Sequence, residues 1–180
     1  MRTALATTVL MAILLLASAL PATATPPTAT PPTANQIARA VAAAERSRSL
    51  WATINICNSP ADRRRIGVRG QMPSLGLPAA MYMTVKLSAY STSAKRFVPI
   101  NSRNAIDTIS LGTHTHGLEQ DGTVFPFMKG QTGLWNATVV FTWKRGGKVL
   151  GRTQRTTTAG HTRADFGNPP HYSAAQCRIS

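Results

Sequence analysis

From Met81 onward every second side chain is apolar: Met81, Met83, Val85, Leu87 and Ala89 alternate with Tyr82, Thr84, Lys86, Ser88 and Tyr90. A strand sends successive side chains to opposite faces, so this run has one inward and one outward face, a division that helical periodicity does not produce. The same period returns at Trp135, Ala137, Val139, Phe141 and Trp143, followed by Lys144-Arg145-Gly146-Gly147-Lys148 and a second run from Val149 to Thr156. A Gly-Gly pair between two such runs predicts a hairpin, because both glycines accept positive φ. A three-residue loop sets Trp143 opposite Val149 and a two-residue loop sets it opposite Leu150, which leaves the register open. Shorter strand candidates are Leu50 to Cys57, Ile66 to Gln71 broken by Gly67 and Gly70, Phe97 to Ile100, Ala105 to Gly112, and Val124 to Met128 bent at Pro126. Many short strands with turn residues between them, and no long helix, predict an all-β domain over residues 50–180, an immunoglobulin-like β-sandwich.

The segment before this domain reads differently. Arg2, an apolar run from Val9 to Leu16 and the small-x-small triplet Ala22-Thr23-Ala24 are the three parts of a secretory signal. We expect residues 1–24 to be cleaved, with Ala17-Ser18-Ala19 as the competing site. The apolar run is short of a bilayer span, so no membrane span is expected after cleavage. Residues 25–35, TPPTATPPTAN, form an extended Thr/Pro spacer with nothing to pack. Residues 36–49 predict a short helix capped by Asn35, with Ile37, Ala38, Val41 and Ala42 on one side. A helix this short holds only if that face docks.

Cys57 and Cys177 are the only cysteines. In an exported chain one such pair reads as a disulfide, here closing nearly the whole domain, and neither lies in a reactive-thiol motif.

Lys and Arg number 20 against 6 Asp and Glu, a net charge of +14. Charged residues are nonetheless sparse at 14% of the chain, which excludes a disordered polybasic tail. The charge is segregated. The window Asn104 to Met128 has no Lys or Arg and holds Asp107, Glu119 and Asp121, whereas Lys144 to Arg163 holds Lys144, Arg145, Lys148, Arg152, Arg155 and Arg163 without an acid. Arg63, Arg64 and Arg65 form a second basic cluster. Lys144, Lys148 and Arg152 share strand parity, which predicts one outward cationic row. Such a surface predicts attraction to an anionic cell-envelope polymer or polysaccharide, in a monomeric extracellular module without catalysis or cofactor. No recognition helix or zinc-finger spacing is present, so sequence-specific nucleic acid is not an expected partner. The competing chemical reading is a small metal-dependent hydrolase at His114-Thr115-His116, where i and i+2 imidazoles on a strand share a face near Glu119 and Asp121.

Five segments carry a resemblance: Asn55-Ile56-Cys57-Asn58, Ile66-Gly67-Val68-Arg69-Gly70-Gln71-Met72-Pro73, Phe141-Thr142-Trp143-Lys144-Arg145-Gly146-Gly147, Thr158-Ala159-Gly160-His161 and Tyr172-Ser173-Ala174-Ala175-Gln176-Cys177. Over Trp51 to Ile179 the chain resembles an uncharacterised family of small secreted proteins from high-GC, actinobacterial-type bacteria. The resemblance implies export, a β-rich domain and a Cys57 to Cys177 bridge, and no activity. The His-Thr-His stretch is outside the family pattern. Arg outnumbers Lys 15 to 5, in keeping with a high-GC source.

Overall fold

A computed structural model describes residues 31–180, of which Pro32–Ser180 form one compact unit. The expected signal and most of the spacer lie outside the described residues. In chain order the elements are α1 (Ala34–Arg46), β1 (Trp51–Cys57), β2 (Arg65–Pro73), β3 (Ala79–Ser91), β4 (Arg96–Pro99), β5 (Ile106–His114), β6 (Leu118–Pro126), β7 (Gly133–Arg145), β8 (Lys148–Thr156) and β9 (Cys177–Ile179).

The strands make two antiparallel sheets, β1-β2-β6 and a larger one in which β3 and β7 are central. β4 and β5 share one edge of β3, and β8 and β9 share one edge of β7. Strands β1, β2 and β6 on one sheet, facing β3, β7 and β8 on the other, make an all-β sandwich. The two clean alternations pair with each other, Met81 opposite Trp143 and Met83 opposite Phe141. Apart from half-buried Ala89 and Trp135 at one end, their apolar faces are buried and pack in one core with Ala52, Ile54, Ile66, Val68 and Met72 from the small sheet. The Trp143 indole, buried with this core, donates its N–H to the Pro73 carbonyl at 2.9 Å, whereas the buried Trp135 N–H at the far end of the same run has no partner among the described residues.

β2 runs unbroken through Gly67 and Gly70, although those glycines suggest an interruption. The reason is close approach: a Cβ at Gly70 would lie 2.9 Å from the Met83 sulfur and 3.2 Å from Phe141, so the glycine lets the two sheets pack. β6 begins at Leu118, six residues before the expected apolar run, because its backbone is paired with β2 over its whole length while its side chains are polar. The hairpin loop is the two-residue one, Gly146 and Gly147 at φ 53° and 78° between Arg145 and Lys148. A bulge then sets Trp143 opposite Gly151, so neither expected register holds.

α1 starts earlier than the spacing predicts, because Thr33 rather than Asn35 is the N-cap and forms a reciprocal capping box with Gln36. Its buried residues are Val41 and Ala44, and Val41 rests on Gly151 of β8. The disulfide Cys57–Cys177 joins β1 of the small sheet to β9 of the large one, with Cα atoms 5.4 Å apart.

Residues 157–176 form a long closing loop that is strapped to the free edge of β1. Ile54 bridges Ala174 and Ile56 bridges Asn168. The Thr158 N–H donates to Ala52 and the Asn168 N–H to Asn55. Without this strap β1 would expose an unpaired edge.

Candidate functional site

The open outer face of the large sheet follows directly from the register. Because Met81, Met83, Val85 and Leu87 face the core, Tyr82, Thr84 and Lys86 face out. Directly opposite residues share a face, so one row runs Ser110, Tyr82, Thr142, Arg152 and the next runs Thr108, Thr84, Val140, Gln154. Lys86, Thr138 and Thr156 align one step further, and Lys144 lies beyond the first row opposite Ala80. Thr84 and Thr108 join their hydroxyls at 2.9 Å. The Lys144 ammonium lies 4.8 Å from the centre of the Tyr82 ring. None of these positions is a carboxylate. Thr142 and Val140 are covered by their neighbours, so the accessible face consists of Tyr82, Thr84, Thr108, Ser110, Gln154 and the cations, with exposed Ile106 and Val149 opposite Lys86 and Lys144.

The bulge changes the predicted cationic row. Lys144 and Arg152 are outward, but the extra residue in β8 shifts parity, so Lys148 shares the last rung with Arg145 and is displaced to the other side of the ribbon. Both remain exposed at the hairpin tip.

The structure does not bring Arg63, Arg64 and Arg65 to this face. They precede β2 or begin it, whereas the hairpin side of the molecule adjoins Pro73 at its end, and nine strand residues span roughly 30 Å. Two of the three are already engaged. Arg64, at φ 58°, donates from Nε to the Phe127 carbonyl at 3.1 Å and receives support from Asn58 on its backbone N–H, while Arg65 pairs with Asp62 at 3.5 Å. Only Arg63 has no ionic or hydrogen-bond partner of its own among the described residues.

The histidine pair is also separated in role. His114 ends β5 with Nε2 on the Leu111 carbonyl at 2.6 Å and Nδ1 on Glu119 at 3.2 Å, while His116 lies in the exposed turn beyond the strand. Asp121 serves Arg69, 3.1 Å away, not a shared carboxylate pair with Glu119. Among the described residues no three His, Cys, Asp or Glu side chains are grouped to hold a metal.

A second feature was not legible in the sequence. Trp51, Thr53, Asn55, Arg69 and Gln71 occupy the non-core side of the small sheet, yet all are buried, because the closing loop lies over them. Asn55 donates to the Asp165 and Phe166 carbonyls, and Arg69 Nε donates to Asp165. The Arg69 guanidinium lies 4.7 Å from the centre of the Phe166 ring, whose residue is 81% exposed and at φ 55°. At the other end of the loop the His161 ring stacks on Trp51, centroids 4.6 Å apart and 12° from parallel. His161 Nε2 meets the Thr158 hydroxyl at 2.9 Å, and its backbone N–H donates to Ser173, which bonds Thr53. Burial holds the imidazole pKa below its ordinary 6.5.

The chain matches no protein-family model and no curated protein sequence. Among solved structures it is similar to a glycosyl hydrolase family 2 member from Bacteroides cellulosilyticus DSM 14838, at TM-score 0.35 and 8% identity over 64% of this chain and 15% of that one. It is also similar to Pseudomonas fluorescens alkylpurine DNA glycosylase AlkC bound to DNA containing an abasic site analog, at TM-score 0.27 and 12% identity over 68% of this chain and 34% of that one. The chain thus spans about a third or less of either protein. The class that the fold defines is a disulfide-linked all-β sandwich of two sheets.

Proposed function

We propose that this protein is an exported, non-catalytic binding module that holds an anionic polymer, such as an acidic polysaccharide of the cell envelope, on the outer face of its large sheet. One observation carries the reading: the outward positions of β3, β5, β7 and β8 place Lys86, Lys144 and Arg152 on one face with no carboxylate between them. A flat polar face suits an extended chain, and unopposed cations attract negative charge without selecting a sequence. The disulfide suits an oxidising compartment. No helix among the described residues is long and apolar enough to cross a membrane.

Retention on immobilised heparin tests this. It should be strong at low salt and fall as salt rises, and Lys144→Glu with Arg152→Glu should lower the log-log salt slope by about two if each cation releases about one counterion. The charge reversals Arg63→Glu and Arg65→Glu, at the other end of the sandwich, should change it far less. Absence of retention at low salt, or an equal effect of the two pairs, refutes the assignment to this face.

A further inference from the structure

On the opposite side of the molecule, where the closing loop crosses the small sheet, Arg48, Trp51, Gln71, His161, Thr162 and Arg163 line a cavity of about 340 Å³. Ligand pockets begin at roughly 300 Å³, so this one is large enough to seat a single ring. No acidic side chain lines it, and Arg48 and Arg163 form no ion pair there. Both are exposed, one on the segment leading into β1 and one on the closing loop, so they approach the same space from two separate parts of the chain.

The wall between them is built, not incidental. The His161 ring is flat against Trp51, its edge is fixed by Thr158, and its backbone is fixed through Ser173 to Thr53. The Gln71 carboxamide is ordered by Ser49 and Gln120, and Leu118 adds an apolar surface. Because burial keeps the imidazole neutral at neutral pH, the stacked ring is a flat surface with polar edges, and the positive charge resides on the two guanidinium groups.

We infer that this groove is a binding site for one acidic sugar unit, a hexuronate. A pyranose divides as the groove does, with a C–H face for His161 and Leu118, hydroxyls for Gln71 and Thr162, and a carboxylate for the guanidinium of Arg48 or Arg163. The site is separate from the open face of the large sheet. It rests on the polymer reading only in the acidic character of the partner.

The test is an NMR titration of the purified, disulfide-intact chain with glucuronate at constant ionic strength, following the His161 ring and Trp51 indole resonances. Saturable shifts are expected, with affinity falling about tenfold in Arg48→Ala or in Arg163→Ala, whichever guanidinium holds the carboxylate, the loss of one charge-assisted contact. Neutral methyl glucoside should bind at least about tenfold more weakly for the same reason. The Lys144→Glu/Arg152→Glu variant should bind glucuronate as the unaltered chain does. No saturable shift, undiminished binding in both arginine variants, or inorganic phosphate binding as tightly as glucuronate overturns the inference. If glucuronate fails while heparin retention persists, the groove assignment falls and the sheet-face reading stands; the reverse pattern removes the sheet face alone.

Discussion

Asn55 shows how much a single side chain does in the closing loop. It is 4% exposed, and its carboxamide donates at 2.8 Å and 3.2 Å to two successive carbonyls, of Asp165 and Phe166. An alanine there removes both bonds, leaving the Asp165 carbonyl to Arg69 Nε alone and the Phe166 carbonyl without this donor, so Asn55→Ala should cost about 1–3 kcal/mol in urea unfolding. Thr84→Ala, at an outward hydroxyl pair, should cost far less, and equal costs would contradict this assignment. His161 gives a pH dependence whose sign is fixed. Its pKa is lowered by burial, so the folded state binds the proton less readily than the unfolded chain does. The contribution is complete above about 6.5 and is lost as pH falls from there toward the lower folded value. The unfolding midpoint of the unaltered chain should therefore drop more than that of His161→Gln between pH 7 and pH 5, and parallel curves would refute the coupling. At this scale the sequence revealed little. Asn55 and Thr53 alternate with Ala52 and Ile54, and nothing local announces that a loop more than a hundred residues later will cover them. His114 and His116 are close in sequence, but a turn begins between them and strand parity stops applying.

Elements were legible wherever one face alone was apolar. β3 and β7 are of that kind, and each extends only about two residues past the run that predicts it at either end. β6 is the contrary case: residues Leu118 to Thr123 carry no apolar alternation, and the strand exists because β2 supplies its hydrogen bonds. The hairpin turn could be read from its glycines, but the bulge could not, and neither could what rests against β8. That contact is with α1. Gly151 leaves no room for a Cβ beneath the branched Val41 side chain, whose atoms already fill that space. Gly151→Ala should then destabilise by about 1–3 kcal/mol, the usual cost of overpacking. Val41→Ala should remove much of that penalty in the double variant, since two residues in contact do not act additively. The measurement is a double-mutant cycle by urea unfolding, with amide exchange in α1 as the local readout. An additive cycle would mean that the helix is not seated on this glycine.

For the whole molecule, the question is what holds the closing loop, the groove and both sheets in one arrangement. β9 has three residues, pairs only with Gly133, Leu134 and Trp135, and is too short to secure the loop before it. The bridge to Cys57 spans a sequence separation of 120 and ties that end of the chain to the other sheet. Closing a loop of this size lowers the entropy of the unfolded chain enough to stabilise by about 5 kcal/mol at most. The sandwich core, from Met83 and Phe141 to Ile54 and Val68, is built chiefly of strand residues and takes only Tyr172 and Ala174 from the loop, whereas the Trp51–His161 stack has one of its two rings on the loop. Reduction should therefore act in two ways: the unfolding midpoint falls, and amides of residues 158–179 lose exchange protection before those of β3 and β7. The His161 ring resonance should shift at the same stage, because its stacking partner is on β1 and its tether, Ser173, is on the loop. Uniform loss of protection across both sheets would show that the bridge supports the whole sandwich equally. Loss confined to the loop would show that it serves chiefly to hold the groove over the small sheet, while the cationic face of the large sheet persists in the reduced chain.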